Sequence, residues 1–597
     1  MSHLPLVDII VLVVYLAGVV GFGCWFVRRS GSTEQFMVAG RSLPAWAVGL
    51  SIFGTYLSSN TFLGVPGKAY STNWNALVFS FSLPLSAWFA VKFFVPFYRH
   101  TGEISAYHHL EHRFGPWART YAVVCYLLTQ LARTGSVMFG VSLALSALTG
   151  WDMATIIVLA GLLITLYTVL GGIEAVIWTD VVQSIVLLVG AISVFVLLCL
   201  DMPEGPGQIF RIGSAEEKLS LGSFALDFTN STFWVVLLYG LLINMNNFGI
   251  DQSFVQRYHT AKSDREAARS VLVGAWLYLP VSLLFFVIGT ALFAFYQTHP
   301  DERAALEQSV AQSKLAQEDM PVDELTVQAA IEKLTDADIG DKALPHFIVH
   351  ELPTGMAGLL VAAIFAAAMS SIDTSLNSSA TVILQDIYRR YFRPQATEKE
   401  SMRALYAGTI AMGACGTAIA LAMIGVKSVL DVWWTLSGVF AAGMLGLFLL
   451  GLFSRRASSP IAATAVVIGV LVVLWISLSQ SWGTLVGNVS IENGSHQLVA
   501  ESPEMFGDLH AGDELVVGKT RVRIAQINAE KDIATIAEPF RGEDAQQVTS
   551  YLNDLGYRLR SPLHKHMAIV LGTFTILLVG FLMSRSNHPP QQAGQLN

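Results

Sequence analysis

The stretch Gly54-Thr55-Tyr56-Leu57-Ser58-Ser59-Asn60-Thr61, followed by Gly64-Val65-Pro66-Gly67, places a run of polar residues inside a long apolar segment. A bilayer cannot satisfy free backbone N–H and C=O groups, so irregular backbone at that depth must be buried in protein or line a cavity. The stretch therefore predicts a helix that is interrupted within the membrane. Close helix packing through small residues is the alternative, and it explains two or three such residues better than the whole run.

The rest of the chain also has the composition of a membrane protein. Of its 597 residues, 53% are hydrophobic and 13% are charged, whereas soluble proteins carry about 25% charged residues. A bilayer core takes about 20 apolar residues per helix, and thirteen segments meet that length. We therefore predict an all-α polytopic membrane protein with about 13 transmembrane helices. The segments are 6–27, 45–70, 76–97, 120–148, 153–171, 175–201, 232–250, 270–296, 353–385, 404–424, 428–453, 460–479 and 566–583.

Lys and Arg residues are concentrated in alternate connections, those after the first, third, seventh, ninth, eleventh and last segments. Basic residues favour the cytoplasmic side of a membrane. This pattern predicts that the N-terminus lies outside and the C-terminus in the cytoplasm of a plasma (inner) membrane. The connection after the seventh segment contributes four of these basic residues, namely Arg257, Lys262, Arg265 and Arg269.

The acidic net charge of -8 gives no reason to invoke nucleic acid. The chain has no P-loop, GxSxG or HExxH motif, so the sequence does not favour an enzyme. His108, His109 and His112 could suit a metal by spacing, but surface histidines on a cytoplasmic helix are the commoner case.

Two long connections fall on the outer side. Residues 298–345 are acidic and include the helix-favouring stretch Val322–Leu334, whereas residues 481–562 contain short runs of β-branched residues separated by Gly and Asp. We therefore predict three parts: a transmembrane core (1–480), an extracytoplasmic β-rich insertion (481–562), and a last transmembrane helix with a short cytoplasmic tail (563–597). The insertion is best explained as a soluble domain that the fold tolerates, with a partner-binding or regulatory role as the alternative and no particular partner indicated.

Segment nine carries a second polar run, Ala367-Ala-Ala-Met-Ser370-Ser-Ile-Asp373-Thr-Ser-Leu-Asn-Ser-Ser379. Ser370, Asp373 and Thr374 are spaced i, i+3, i+4 and share one helix face. Hydroxyl, carboxylate and carbonyl oxygens can replace the water shell of a hard cation. A carboxylate is costly in lipid, which makes this face a candidate functional site rather than packing alone.

Two further charges are isolated in apolar surroundings. Asp180 begins a long apolar helix, and Arg133 lies in the middle of segment four with about ten mostly apolar residues on each side. Arg133 is too far from either end to reach the interface, so an internal partner is expected. Each charge could bind a ligand or belong to a structural ion pair.

These residues occur in longer stretches that resemble the sodium/solute symporter family, and within it most closely the bacterial sodium-coupled sialic acid transporters. The resemblance covers roughly residues 1–470. The stretches that carry it are Arg41-Ser-Leu-Pro-Ala-Trp-Ala-Val-Gly-Leu-Ser-Ile-Phe, Thr61-Phe-Leu-Gly-Val-Pro-Gly-Lys-Ala-Tyr70, Tyr107-His-His-Leu-Glu-His-Arg-Phe114, Gly171-Gly-Ile-Glu-Ala-Val-Ile-Trp-Thr-Asp180, Asp251-Gln-Ser-Phe-Val-Gln-Arg-Tyr258 and Ala362-Ala-Ile-Phe-Ala-Ala-Ala-Met-Ser-Ser371.

The resemblance implies a leucine-transporter-like fold of two inverted five-helix repeats, segments 2–6 and 7–11. Substrate and ions would lie near the midplane, between two polar breaks in segments two and nine. The resemblance also implies two sodium sites. The main site would use the carbonyls of Gly54, Leu57 and Ala367 with the hydroxyls of Ser370 and Ser371, and the second would use Asp180, Ser370, Asp373 and Thr374. Asp373 stands where the sialic acid members have serine.

On the substrate side, Ser58, Thr61 and Arg133 match residues that contact substrate in those transporters, whereas Tyr56, Ala76 and Ser80 depart from them. The resemblance thus implies sodium-coupled symport of a small organic solute, with an anionic carboxylate such as sialic acid as substrate. Sodium-coupled uptake of a neutral sugar or another small solute is the alternative within transport. A transporter-like nutrient sensor is the alternative from a different class.

Overall fold

The computed structural model describes most of the chain. The described residues are 5–317, 321–424, 429–479, 485–491, 493–500, 506, 511–512, 514–517, 520–528, 533–541, 545–552 and 559–586.

Helices dominate the described chain. The α-helices are α1 (Leu6–Trp25), α2 (Thr33–Val38), α3 (Ala45–Tyr56), α4 (Ser59–Ser71), α5 (Val78–Phe89), α6 (Val95–Thr101), α7 (His108–Phe114), α8 (Pro116–Thr149), α9 (Met153–Asp201), α10 (Gly207–Ala215), α11 (Phe233–Ile250), α12 (Gln252–Thr260), α13 (Asp264–Thr298), α14 (Pro300–Gln317), α15 (Glu324–Ile331), α16 (Asp336–His350), α17 (Met356–Val382), α18 (Glu398–Ala422), α19 (Val429–Phe453), α20 (Ser459–Leu478) and α21 (Met567–Ser586). Short 3₁₀ helices occupy Phe26–Arg28, Ala39–Arg41 and Trp74–Leu77, and π-helical turns occupy Ala90–Phe94 and Ile383–Phe392.

Ten helical stretches of the described chain are long and apolar enough to cross a bilayer. The prediction of a mostly helical protein with many membrane spans is therefore confirmed. The exact number of thirteen spans stays a prediction, because some spans, such as the α3–α4 segment, are built from two shorter helices.

The interruption predicted within residues 54–61 is present. Helix α3 ends at Tyr56, Leu57 and Ser58 take extended backbone angles, and α4 begins at Ser59. The Ser58 hydroxyl accepts a hydrogen bond from the Thr61 amide at 3.4 Å, and the Thr61 hydroxyl accepts one from the Ser58 amide. This reciprocal cap lets a new helix begin where the old one has stopped.

A second interruption lies where the sequence predicted a cytoplasmic connection. Helix α11 ends at Ile250, Asp251 is extended, and α12 begins at Gln252. All nine residues of α12 are buried. The expectation that Arg257 is a basic residue in a cytoplasmic connection is therefore wrong, since its side chain is buried in the protein interior.

Segment nine is not broken. Helix α17 runs without interruption from Met356 to Val382, and Ser370 to Ser379 lie inside it. The expectation of a second polar break in segment nine is therefore wrong, and the break at Asp251 is the one that the structure contains. The serine-rich face of α17 does meet α3, as predicted, and it also packs closely on α9.

Helix α9 is divided at Gly172, which has the positive backbone angle φ +59°. A Cβ atom there would lie 2.9 Å from the Phe36 side chain and backbone. Only glycine combines that backbone angle with so close an approach. The division agrees with the two predicted segments 153–171 and 175–201. Asp180 lies in the second part of α9 and is buried in the helical core.

The strands form a separate barrel. They are β1 (Leu485–Ile491), β2 (Gln497–Ala500), β3 (Glu514–Val517), β4 (Thr520–Ile527), β5 (Ile533–Ile536) and β6 (Ala545–Leu552). All neighbours are antiparallel, and the order β1-β2-β5-β4-β3-β6 closes on itself. Its interior is a distinct apolar cluster that includes Leu498, Leu515 and Ile524. Short β-branched runs of the region 481–562 form strands such as β3, β4 and β5.

Candidate ion and substrate site

The first break and α17 are joined by one serine. The Ser370 hydroxyl lies 3.0 Å from the Gly54 carbonyl oxygen and 3.3 Å from the Ala367 carbonyl oxygen. Three of the five residues expected at the main sodium site are thus in direct contact. A hydroxyl can donate to these carbonyls or turn its oxygen towards a cation that they share.

The hydroxyl of Ser371 is buried and has no hydrogen-bond partner among the described residues. Buried polar groups are nearly always satisfied, so this hydroxyl beside Ser370 is a candidate to bind a ligand. Leu57, the remaining residue of this set, has the extended backbone that ends α3. All five residues of the set therefore lie around the α3–α4 break or on the facing turns of α17.

The second expected set contains a partner that the sequence did not predict. The Asp180 carboxylate accepts from the Ser51 hydroxyl at 2.5 Å and from the Arg257 guanidinium at 3.0 Å. The same guanidinium nitrogen donates to the Thr374 hydroxyl at 2.7 Å. Two of the four residues assigned to a second sodium are thus already bound to a positive charge.

Asp373 lies one residue before Thr374 and is completely buried. One carboxylate oxygen accepts from the Tyr167 hydroxyl at 2.6 Å, while the other has no partner among the described residues. One carboxylate oxygen of Asp180 likewise has no hydrogen-bond partner among the described residues. A buried carboxylate is expensive unless a charge or several donors compensate it, so these two free oxygens indicate a position for a cation.

Arg133 lies at the first break. Its guanidinium donates to the Thr55 carbonyl at 2.6 Å, and no other hydrogen bond or ion pair links it to the described residues. Asp180, the other charge that the sequence isolates in apolar surroundings, pairs with Arg257 and not with Arg133. Arg133 is partly buried as a residue, and its remaining guanidinium donors are available to a ligand beside the N-terminus of α4.

The other predicted substrate residues are distributed around this point. Ser58 and Thr61 cap α4, whose N-terminus favours negative charge. Tyr56 packs among Phe254 and Tyr278, with ring centroids 4.9 and 5.5 Å away. Ser80 is buried and its hydroxyl meets that of Ser282 at 2.7 Å, so it faces α13 and makes no contact with Arg133.

The histidine cluster near the basic connections is separate from this site. The Nε2 atoms of His108 and His112 lie 3.0 Å apart, and the Nδ1 atom of His108 lies 2.6 Å from the Glu103 carboxylate. Burial, with the positive charge of Arg113 nearby, lowers the pKa of His109. The described residues contain no group of three or more His, Cys, Asp or Glu side chains arranged to hold a metal ion.

Three residues of the site were missed by sequence reasoning: Arg257, Tyr167 and Ser51. Arg257 was counted as a surface charge because basic residues after an apolar segment usually mark a cytoplasmic connection. The signal that could have corrected this is the pair Asp251 and Ser253, which forms a helix N-cap directly after an apolar helix. Tyr167 and Ser51 each lie in an apolar helix, and no neighbouring residue in the sequence marks either of them as part of a site.

A many-helix membrane protein with an interrupted helix, opposed hydroxyls and unpaired buried oxygens has the features of an ion-coupled secondary transporter. Comparison with known proteins supports this class. The model of the sodium:solute symporter family matches residues 36–469. The chain belongs to this family, so it is a multi-pass membrane protein and a sodium-dependent transporter rather than an enzyme.

The similar relatives include two sialic acid symporters. The chain is 32% identical over 474 residues to the sodium/sialic acid symporter NanT of Aliivibrio fischeri, covering 78% of this chain and 87% of that protein. It is also 32% identical to the sodium/sialic acid symporter SiaT of Proteus mirabilis, covering 78% and 88%. The sodium/glucose cotransporter of Vibrio parahaemolyticus is 28% identical, with coverage of 79% and 85%.

A solved structure is similar over almost the whole chain. It shows a Na+-coupled sialic acid symporter in a substrate-bound outward-open state. The two chains are 26% identical with a TM-score of 0.74, and the match covers 98% of this chain and 99% of the other.

Proposed function

We propose that this protein imports sialic acid, or a closely related sugar carboxylate, together with sodium. The observation that carries the proposal is Arg133, whose guanidinium makes one hydrogen bond to the described residues, to the Thr55 carbonyl, and keeps further donors open. Its planar fork matches a carboxylate, which it can bind through two parallel hydrogen bonds. Inside the protein the nearest acidic influence on Arg133 is the charge of Asp251, with no direct ion pair between them, and a substrate carboxylate would supply the bidentate partner that a neutral substrate lacks. The sialic acid symporters among the relatives support the same substrate class.

The main sodium would bind the carbonyls of Gly54, Leu57 and Ala367 and the hydroxyls of Ser370 and Ser371. Because these groups belong to α3 and α17, the ion would tie the broken helix to its neighbour and so prepare the substrate site beside Ser58 and Thr61. A second sodium would bind near Asp180, Asp373 and Thr374, with Ser370 shared. Each sodium that moves inward across 100 mV contributes about 2.3 kcal/mol before any concentration gradient is counted.

The proposed architecture follows from the same assignment. The α3–α4 and α11–α12 breaks would be equivalent positions of two inverted five-helix repeats, and thirteen spans would cross the membrane. Residues 1–480 would form the transport core, 481–562 an outer insertion, and 563–597 the last span and tail. The N-terminus would lie outside and the C-terminus in the cytoplasm of the plasma membrane.

A thermal-shift assay on purified protein tests the substrate. N-acetylneuraminate, its methyl ester, small monocarboxylates and neutral sugars are each added in sodium and in potassium. We expect stabilisation by the acid in sodium only, because binding to the folded state alone raises its stability. Equal stabilisation by the methyl ester or by a neutral sugar would contradict the proposed substrate class.

A further inference from the structure

Two histidines of α7 face each other across one helical turn. His108 and His112 are spaced i, i+4, so they lie on one face of the helix, and their Nε2 atoms are 3.0 Å apart. They border an open cleft of about 250 Å³ that Phe97, Glu103 and His109 also line. The side chain of His108 is 25% exposed and His112 is exposed, so a solvated ion can reach the pair.

Glu103 orients the first of these rings. Its carboxylate lies 2.6 Å from Nδ1 of His108, so in the neutral ring it holds the proton on that nitrogen and leaves a lone pair on Nε2. Histidines that bind metals usually donate their other ring N–H to a carboxylate in this way. Without an ion, the short contact between the rings is one N–H···N hydrogen bond with His112 as donor. A metal ion would replace that shared proton, and His112 would then carry its proton on Nδ1.

The separation of the two nitrogens indicates which metals fit. At a metal–nitrogen distance of about 2.1 Å, nitrogens 3.0 Å apart subtend an angle of about 90° at the ion. A tetrahedral ion would require a separation of about 3.4 Å at the same bond length. Right angles are found in the tetragonal sites of Cu²⁺ and Ni²⁺, whereas Zn²⁺ with histidine ligands is usually tetrahedral.

The connection between α6 and α7 also holds the start of α12, which follows the second interruption. The Ala106 amide donates to the side-chain oxygen of Gln252 at 2.8 Å, and the side-chain amide of Gln252 donates to the Ile104 carbonyl at 2.9 Å. Ile104 and Ala106 lie between Glu103 and His108 in the chain. An ion bound to the two histidines would therefore restrict this connection and stabilise its contact with α12.

We propose that His108 and His112, with Glu103 as a positioning residue, form a site for a divalent transition metal, Ni²⁺ or Cu²⁺ in preference to Zn²⁺. Water completes the coordination, because the described residues bring no third His, Cys, Asp or Glu ligand to the pair. The bound ion stabilises the connection 102–107 and, through it, the start of α12. The site involves neither sodium nor substrate, so it can fail while sodium coupling holds, and the reverse.

Isothermal titration calorimetry on the purified full chain, with any affinity tag removed, tests the site. Ni²⁺, Cu²⁺ and Zn²⁺ are titrated separately in a buffer that does not chelate them. We expect the chain to bind Ni²⁺ and Cu²⁺ more tightly than Zn²⁺. Glu103→Gln should lower Ni²⁺ affinity by roughly 10- to 100-fold, the usual cost of losing an outer-shell partner, and His112→Ala should lower it by more.

Another histidine pair of the same spacing supplies a matched control. The rings of His346 and His350 in α16 have centroids 4.3 Å apart, but Nδ1 of His346 contacts the Tyr296 hydroxyl rather than a carboxylate. His350→Ala should therefore leave Ni²⁺ affinity unchanged. The melting temperatures of the metal-free variants should match the wild type, which separates loss of the site from loss of the fold.

Hydrogen exchange followed by mass spectrometry tests the link to α12. Saturating Ni²⁺ should slow amide exchange in residues 102–108 and at the start of α12 in the wild type, but not in His112→Ala. The site would be overturned by a wild type that does not bind Ni²⁺, by unchanged affinity in His112→Ala, or by tighter binding of Zn²⁺ than of Ni²⁺. Slower exchange confined to α7 would overturn the link to α12.

Discussion

The two interrupted helices are built differently although one helix, α8, contacts both. At the first break, Arg133 of α8 donates to the Thr55 carbonyl, and the next helix is capped by hydroxyl contacts of 3.3–3.4 Å. At the second break, Gln130, one turn earlier on α8, lies 3.4 Å from Asp251, whose carboxylate caps α12 at 2.8 Å. The first break thus has only weak hydroxyl caps, and it lies beside a guanidinium that still has free donors. At the second break a carboxylate caps the next helix.

This difference indicates that the two breaks have different roles. Weak caps and free donors suit a segment that rearranges when ions and substrate bind. A carboxylate cap and a fully buried following helix suit a segment that holds its position. The predictions below test whether the first break carries ligand binding while the second carries stability.

The largest effect is expected at Arg133. Each charge-assisted hydrogen bond is worth roughly 1.5–3 kcal/mol, so losing a bidentate pair should weaken substrate binding on the order of a hundredfold or more. Arg133→Lys should bind poorly and Arg133→Ala worse, as measured by substrate titration in saturating sodium. Sodium binding without substrate should be retained in both variants. An amide analogue transported as well as the acid would show that Arg133 is structural.

The next effect concerns sodium at the first break. Replacing Ser370 and Ser371 together with Ala removes the hydroxyl bonded to the Gly54 carbonyl and the unsatisfied one beside it. We expect the sodium concentration for half-maximal uptake to rise by about tenfold or more, since each lost ligand contributes at least about 1 kcal/mol. Ser379→Ala, which removes an equally buried and unpartnered hydroxyl from the same helix, is the matched control. Wild-type sodium dependence in the double variant would contradict the assignment.

How much of this site can be predicted from the sequence depends on which residues form each break. The run from Gly54 to Thr61 is unusual for a membrane helix, so the first break and its facing serines could be predicted. The second break contains one glycine, Gly249, and no proline, and an aspartate that caps the next helix supplies the turn. Arg257 could not be placed from sequence, since a buried guanidinium and a surface guanidinium look alike until their partners in α3, α9 and α17 are known.

A smaller effect distinguishes the two caps. Asp251→Ala removes the acceptor for the Ser253 amide and hydroxyl, whereas Ser58→Ala removes two long contacts to Thr61. Loss of a helix cap costs about 1 kcal/mol, and we expect Asp251→Ala to lower the melting temperature more than Ser58→Ala does. Asp251→Asn, which keeps an acceptor, should recover part of the loss. Equal losses at Ser58 and Asp251 would remove the proposed distinction between the breaks.

The smallest effect is expected from removing the barrel, because both breaks lie in a core that it does not complete. The chain leaves the core after α20 and returns close by: the Ser561 amide donates to the Ser479 hydroxyl at 2.9 Å, and Trp475 donates to the Leu559 carbonyl at 2.9 Å. Closely spaced ends and a separate apolar interior are typical of a domain inserted into a host that folds without it. These four residues stay in place if residues 481–558 are replaced by two glycines.

That deletion variant should keep sodium affinity and substrate affinity within about twofold of the wild type, because changes at sites far apart and without shared partners are usually independent. Uptake and ²²Na⁺ binding in proteoliposomes measure both quantities. The control is a deletion of the same length whose boundaries are shifted so that Leu559 to Ser561 are removed. It should destabilise α20 and α21, because it removes the hydrogen bonds that join the two helices. If the first deletion folds and binds sodium but no longer takes up substrate, the barrel acts in transport, and the two breaks alone do not account for the transport cycle.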